Sequence, residues 1–420
     1  MHITKVRIEN FRGIHEMELE LHPKLNVFIG INGAGKSSVL DAISYWLAPF
    51  ARILSGEAYK KDGYAKHKGN DFPAFEIRNG ETESKISLIP EGWNDFITLR
   101  ASNILNPRGD RKITGTRFIY LQKYSWLPYL KRDKDKSDIA LFRYFRVHRG
   151  FKKISIAAWT NRDFDQRDAF IDAMSRKANF KEFFEWFRNR EDLENEERKN
   201  DKQLSIVRKA ISLFLDTIDP PKIYRRAPLR MVVVKNEKEL RVQQLSDGEK
   251  CLLATIGDLA RRLAIANPTL ENPLEGEGVV LIDEIDLHLH PQWQRMILPK
   301  LTETFPNCQF IVSTHSPQIL SEIHSENIIC LQDGQNGIEA FPPGYETFGQ
   351  TADIILPDIM KTKNRNDSVD KQLDLIFEAI NEGNLTKAES LKKELETKAK
   401  DIPEYAKIEM LIHRKEKLGK

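Results

Sequence analysis

The stretch Val27-Phe28-Ile29-Gly30-Ile31-Asn32-Gly33-Ala34-Gly35-Lys36-Ser37-Ser38 constrains this chain more than any other. An apolar run ends in G-x-x-x-x-G-K-S and passes directly into Val39-Leu40-Asp41-Ala42-Ile43, which orders the segment as strand, glycine-rich loop and helix. Glycines at 30 and 35 let the backbone fold tightly enough for the amides from Asn32, Gly33, Ala34 and Ser38 to turn toward phosphate oxygens. Lys36 adds a point charge, Ser37 offers a hydroxyl to Mg²⁺, and the helix that starts there supplies its positive dipole end. A nucleoside triphosphate site follows.

Length and composition set the surroundings of that loop. The 420 residues allow two or three ordinary domains, or one large α/β core with insertions. Lys and Arg number 65 against 62 Asp and Glu, so an argument for nucleic acid must be local. Cys251, Cys308 and Cys330 are scattered, lack the spacing of a zinc or redox site, and read as small core residues. Charged residues appear at once after Met1, and no window approaches 18 uninterrupted apolar residues. The expectation is a soluble cytoplasmic protein with no membrane segment.

Upstream of the loop, residues 3–8 and 17–21 alternate as two strands joined by a turn at Arg12-Gly13. Downstream, 74–78, 84–89 and 117–122 read as further strands. Residues 100–153 interleave basic side chains with Phe118, Tyr120, Tyr124, Trp126, Tyr129, Phe142, Tyr144, Phe145 and Phe151. That mixture suits a surface that tracks nucleic acid, and core aromatics beneath a solvated basic face explain the same letters. From 165 to 216 the period turns helical, with Phe180, Phe183, Phe184 and Phe187 three and four apart, and residues 188–199 read as a charged helix tip projecting from the body.

Two later segments carry chemistry. Leu245-Ser246-Asp247-Gly248-Glu249-Lys250 starts a helix with a capping box, Ser246 as N-cap and Glu249 three residues on. Val279-Val280-Leu281-Ile282-Asp283-Glu284 is an apolar strand ending in two carboxylates, which need a cation to be tolerable. Such a strand aims Asp283 at a Mg²⁺ shell and leaves Glu284 beside the attacking water as general base. His288-Leu289-His290-Pro291 follows, and its H-x-H pair reads either as a loop before a proline-opened helix or as metal ligands. Residues 309–313 form one more buried strand, ending at Thr314-His315-Ser316-Pro317. Residues 370–420 read as a charged helical hairpin turning at Gly383-Asn384.

The opening I-x-N-F-R-G-I, the glycine-rich loop, L-S-D-G-E-K, the acidic strand with D-E-I-D-L-H-L-H-P, and the histidine strand occur in the order found in the SMC, Rad50 and RecF group of ABC-type ATPases, which this chain resembles over residues 1–345. The resemblance implies an α/β fold: an ABC-type ATPase head with a mixed sheet and an antiparallel β lobe, an inserted helical region and a C-terminal helical hairpin. It divides the chain into 1–164, 165–222, 223–345 and 346–420. It implies ATP and Mg²⁺ as cofactors, Ser246, Gly248 and Glu249 as the signature that meets a γ-phosphate held by another subunit, and His315 as a γ-phosphate switch. It puts Arg12 near the nucleotide, where the residues alone allow a hairpin-turn arginine. It offers Gln122 as the Mg²⁺ and water sensor, where the residues alone allow a surface glutamine. A homodimer or higher homo-oligomer follows.

F-F-E-W-F-R-x-R-E-D-x-E-N-E and the tail E-G-N-L-x-K-A-E-x-L are similar to the ATPase subunits of Septu anti-phage systems and their retron-associated relatives, which work with a separate HNH nuclease. The expected function is ATP-driven control of such a nuclease. The alternative is a RecF-like DNA repair or recombination ATPase without a dedicated nuclease.

Overall fold

A computed structural model describes residues 1–56, 76–105, 111–119, 138–146, 164–174, 180–226, 229–359 and 365–418. They form two compact units, Met1–Ala352 and Asp353–Lys420. Gln122, and with it most of the basic and aromatic stretch, lies outside the described residues.

In the first unit, β1 (Ile3–Phe11) and β2 (Ile14–Glu20) form the expected antiparallel hairpin, with Val6, Ile8 and Phe11 turned inward. β3 (Leu25–Ile29) leads through the loop into α1 (Lys36–Leu54). Then come β4 (Glu83–Pro90), β5 (Ile97–Leu105), β6 (Arg111–Ile119) and β7 (Leu141–Phe145). Strands β2-β1-β4-β5-β6 make a five-stranded antiparallel sheet. The helices α2 (Phe180–Glu197) and α3 (Lys202–Phe214) follow, then β8 (Lys222–Tyr224), β9 (Arg230–Lys235) and β10 (Lys238–Arg241) in a small three-stranded sheet. After α4 (Asp247–Ala266) come β11 (Gly278–Ile282), α5 (Pro291–Thr304), β12 (Cys308–Ser313), β13 (Ile328–Gly334) and β14 (Gly337–Phe341).

The central sheet has six strands in the order β14-β13-β3-β12-β11-β7, parallel except for β14. β3, β12 and β11 are neighbours and run the same way, so the glycine loop, the His315 segment and Asp283 leave the sheet at one edge. Strands buried on both faces read as continuous apolar runs, as V-V-L-I and F-I-V do.

Helix α1 packs between the two sheets, and 13 of its 19 residues are buried, which a helix facing water on one side does not show. Trp46 is fully buried and donates its indole N–H to the Ile97 carbonyl at 2.8 Å. Each large side chain there contributes about 1.5–3 kcal/mol by burial.

Helix α4 is fastened to β7 by charge. Asp258 accepts from Arg261 at 2.8 Å and from Arg262 at 2.9 Å, and it forms an ion pair with Arg143 of β7 at 2.9 Å. The remaining guanidinium donors of Arg143 and Arg262 reach the carbonyls of Ala169, Ile171, Asp172 and Ala173. Burial lowers Arg143 to about 10, opposed by Asp258 and reinforced by Arg262 and Arg261. Phe142, Tyr144 and Phe145 are core residues on the same strand, so this part of the aromatic stretch offers no face to nucleic acid.

The charged segment at 188–199 does not project along its whole length. Arg190 pairs with Asp201, Glu194 with Arg208, and buried Glu191 with Arg208 and Arg225, which ties the end of α2 to α3 and to the chain after β8. These charges alternate with the apolar face, so partners supplied from other elements turn inward what reads locally as a solvated tip.

In the second unit, where the sequence suggests a hairpin, the described residues after the short helix Ala352–Asp358 form α6 (Asp367–Asn381), α7 (Leu385–Lys398) and α8 (Glu404–Leu418). Leu373, Ile376, Ile380, Leu395, Ile408 and Ile412 form a core of their own. Pro403 breaks the chain before α8, and the weak apolar spacing of α8 hides it among charges.

Candidate functional site

The glycine loop takes its shape from what lies against it. Gly30 has φ +152°, and a Cβ there would stand 2.4 Å from the Leu331 carbonyl oxygen of β13. Gly35 has φ +91°, and a Cβ there would stand 2.4 Å from Ile338 Cδ1 of β14. Any other residue meets both a left-handed backbone and a blocked space. Asn32 and Gly33 are exposed at the mouth of the loop, and Ala34 is buried beneath it. As N-cap of α1, Gly35 offers no side chain to the first-turn amides, which leaves them to a ligand.

Lys36 folds back over the loop, its Nζ donating to the carbonyls of Gly30 at 2.8 Å and Ile31 at 3.0 Å. Burial lowers its pKa, opposed by Asp283, Glu284 and Asp286. Ser37 donates its hydroxyl to Asp283 Oδ1 at 3.1 Å, and Ser313, at the end of β12, donates to the same oxygen at 2.6 Å. The Ser313 hydroxyl in turn accepts the Glu284 amide at 2.8 Å. Glu284 sits at φ +48°, a left-handed conformation that costs a non-glycine residue about 1–3 kcal/mol and persists where neighbours enforce it. Thr314 donates to Asp286 at 2.6 Å, and the His315 amide donates to the same carboxylate at 3.2 Å. Burial and the Lys36 charge lower the His315 pKa, with Asp286, Glu284 and Asp283 opposing, so the ring is neutral at pH 7.

The oxygen set formed by the Ser37 hydroxyl and the Asp283 carboxylate suits a hard divalent cation such as Mg²⁺. The H-x-H pair has a local explanation: His290 is the N-cap of α5, its Nδ1 accepting from the Gln292 amide at 3.4 Å. Among the described residues, no group of three metal-ligating side chains is found.

Arg12 stands at φ +49° in the β1–β2 turn and is held by carboxylates. It donates to Glu76 through Nε and Nη2, to Asp41 at 2.7 Å and to Ser38 at 3.4 Å. Burial would lower its pKa, yet Glu76 and Asp41 raise it above the usual arginine value. Asp41, in the second turn of α1, also accepts from Tyr144 at 2.9 Å and pairs with Arg146 at 2.6 Å. Arg146 directly follows β7, and the Phe145 carbonyl accepts the Asp283 amide at 2.8 Å. The strand bordering the acidic strand is thus β7, and the residue just past its end is Arg146.

Ser246, Gly248 and Glu249 form a second group at the start of α4. Ser246 is exposed, its amide donates to Glu249 Oε2 at 2.9 Å and its hydroxyl to the same oxygen at 2.7 Å. The Glu249 amide returns a bond to Ser246 Oγ at 3.3 Å, which completes the capping box. A Cβ on Gly248 would lie 2.6 Å from the His288 carbonyl oxygen, so this helix start abuts the loop after the acidic strand.

Of the residues singled out in the sequence, Lys36, Ser37, Asp283 and His315 fall in one electrostatic neighbourhood, with Glu284 beside them. Arg12 reaches both Ser38, the residue after Ser37, and Asp41. The sequence reading missed Asp41, Glu76, Tyr144, Arg146 and Ser313. An aspartate inside the buried V-L-D-A-I face of α1 is a signal for a paired charge.

Comparison with known proteins accords with this geometry. A family model described as "AAA domain, putative AbiEii toxin, Type IV TA system" matches residues 64–321, and one described as "AAA ATPase domain" matches residues 1–89. The Retron Vc95 probable ATPase of Vibrio cholerae is 31% identical, across 80% of this chain and 74% of its own. The Retron Ec83 probable ATPase of Escherichia coli is also 31% identical, across 80% and 72%. The Septu protein PtuA of Bacillus thuringiensis is 23% identical, across 100% and 96%. Among the described residues, no helix is long and apolar enough to cross a membrane. The chain belongs to the family of P-loop ATPases that contains the retron and Septu ATPases, and it is an ATPase with an α/β head.

Proposed function

We propose that two copies of this ATPase close around ATP and Mg²⁺, and that closure controls a partner HNH nuclease in an anti-phage defence complex. The observation that carries the reading is the hydrogen-bonded convergence of Ser37, Asp283 and Ser313, with the Glu284 amide held by the same Ser313 hydroxyl. In this reading the loop amides and α1 bind the phosphates, and Lys36 leaves the Gly30 and Ile31 carbonyls for them. Ser37 and Asp283 hold Mg²⁺, which when bound offsets charge on the phosphate oxygens. Glu284 takes a proton from the attacking water, and His315, held at the Asp286 carboxylate through its amide, stands near it. Exposed Ser246, at the positive end of α4, suits a γ-phosphate brought by a second copy. The defence role and the nuclease rest on the kinship to Septu PtuA and the retron ATPases.

The test is a pair of variants. Lys36→Ala is expected to lose nucleotide binding. Glu284→Gln is expected to keep ATP uncleaved and to accumulate as a dimer by light scattering. Wild-type hydrolysis by Glu284→Gln would overturn the base assignment.

A further inference from the structure

The hydroxyl of Ser246 is already committed: its hydrogen goes to Glu249 Oε2 at 2.7 Å. A serine that is to donate to a phosphate oxygen must withdraw that hydrogen, which leaves a carboxylate that is 2% exposed with one donor fewer. Lys235 meets the other oxygen of the same carboxylate, its Nζ donating to Glu249 Oε1 at 2.6 Å. It comes from a different element, the end of β9. Asn236 and Glu237 both have positive φ, at 49° and 64°, and make the tight two-residue turn that pairs Lys235 with Lys238. The turn fixes where the lysine stands. The Glu249 carboxyl is held below its usual range: burial pushes it up, while the bonds from Lys235 and Ser246 outweigh that.

We infer that Lys235 is a positioning residue for ATP hydrolysis, which lets Ser246 exchange its hydrogen bond to Glu249 for one to a phosphate oxygen of a nucleotide carried by a second copy. Lys235 keeps the buried carboxylate ionised and compensated throughout the exchange, so the serine turns at low cost. The inference rests on the reading that Ser246 acts across a dimer. It adds that the three-stranded sheet β10-β9-β8 governs how readily the signature engages.

The full-length chain tests it in steady-state ATP hydrolysis, with ATP binding measured separately at a concentration where the protein is monomeric. Lys235→Met is expected to lower kcat roughly tenfold to a hundredfold, the scale of one lost charge-assisted hydrogen bond, and to leave single-chain ATP affinity unchanged. Lys235→Arg is expected to restore most of kcat. In a Glu249→Gln background, where no buried charge needs compensation, Lys235→Met is expected to add little. Wild-type kcat in Lys235→Met, equal loss in both backgrounds, or a loss of ATP affinity matching the loss of kcat would each overturn the inference. Ser246→Arg separates the two levels: full activity in that variant sinks the dimer reading itself, whereas its inactivity beside an unaffected Lys235→Met sinks the Lys235 inference alone.

Discussion

Ser313 and Asp283 are joined by a 2.6 Å hydrogen bond between the ends of adjacent parallel strands, and the same hydroxyl accepts the amide of Glu284. One side chain thereby orients the carboxylate offered to a cation and fixes the left-handed backbone of its neighbour. Ser313→Ala removes the donor and the acceptor together. The expected loss is about 1–3 kcal/mol of stability and roughly tenfold or more in kcat, with ATP affinity falling less. Thermal unfolding together with a kcat and KM split checks this. A change in KM alone would show that Ser313 acts only on binding.

Ser246→Arg is expected to block hydrolysis without weakening ATP binding to a single chain, because the arginine obstructs the phosphate of another copy rather than its own. Mixing it with Lys36→Ala gives a heterodimer with at most one composite site built from two intact halves. Partial recovery of activity in the mixture is the expected result, read by phosphate release across mixing ratios. No recovery at any ratio would argue against a shared site.

Asp258 forms ion pairs with three buried guanidinium groups, those of Arg143, Arg261 and Arg262. Asp258→Asn strands that charge, and breaking a buried pair of this kind costs about 3–5 kcal/mol. The loosened joint lies between α4 and β7, so the expected outcome is a lower unfolding midpoint accompanied by reduced kcat. The pH dependence has a definite sign. Burial would raise the Asp258 carboxyl, but the three arginines hold it far below the usual range. Its stabilising share is therefore complete above the unfolded value of about 3.9 and is lost as pH falls below it. Urea unfolding from pH 7 to pH 3 is expected to show a constant gap between wild type and Asp258→Asn down to about pH 4, and a gap that begins to narrow below it.

The parts of this molecule legible in the sequence are those where local chemistry dictates the residue. Gly30 and Gly35 must be glycine because β13 and β14 block any Cβ, and the six-residue spacing to Lys36 survives as text. Ser246 and Glu249 cap a helix from three residues apart. Asp41 and Arg146, by contrast, meet from 105 positions apart in a contact that no spacing rule contains. Arg143 reads as a surface residue inside L-F-R-Y-F, yet it is 2% exposed because Asp258 and two carbonyls wait for it. The tail is helical as its sequence suggests, but α8 is dense with charge, and its buried residues Ile408 and Ile412 stand out only once α6 and α7 are in place.

The partnership prediction starts from the same tail. The catalytic carboxylates, the glycine loop and the signature all belong to Met1–Ala352, while Asp353–Lys420 closes a hydrophobic core of its own. Leu375 and Met410 remain 44% and 61% exposed on that second unit, apolar surface that its own helices leave uncovered. Hydrolysis of ATP breaks no nucleic-acid bond, so a defence role needs a second protein, and a unit that carries none of the ATP chemistry is where its attachment would least disturb the reaction. Truncation after Ile359 is expected to keep the nucleotide-dependent dimer and to lose a copurifying HNH nuclease in a pull-down from the native operon. Leu375→Glu with Met410→Glu in the full chain is expected to weaken capture at least tenfold while ATP hydrolysis stays within about twofold of wild type, since surface changes of this kind cost little stability. Metal-dependent cleavage of DNA by the highly purified chain alone, or undiminished capture by the truncated form, would contradict the assignment.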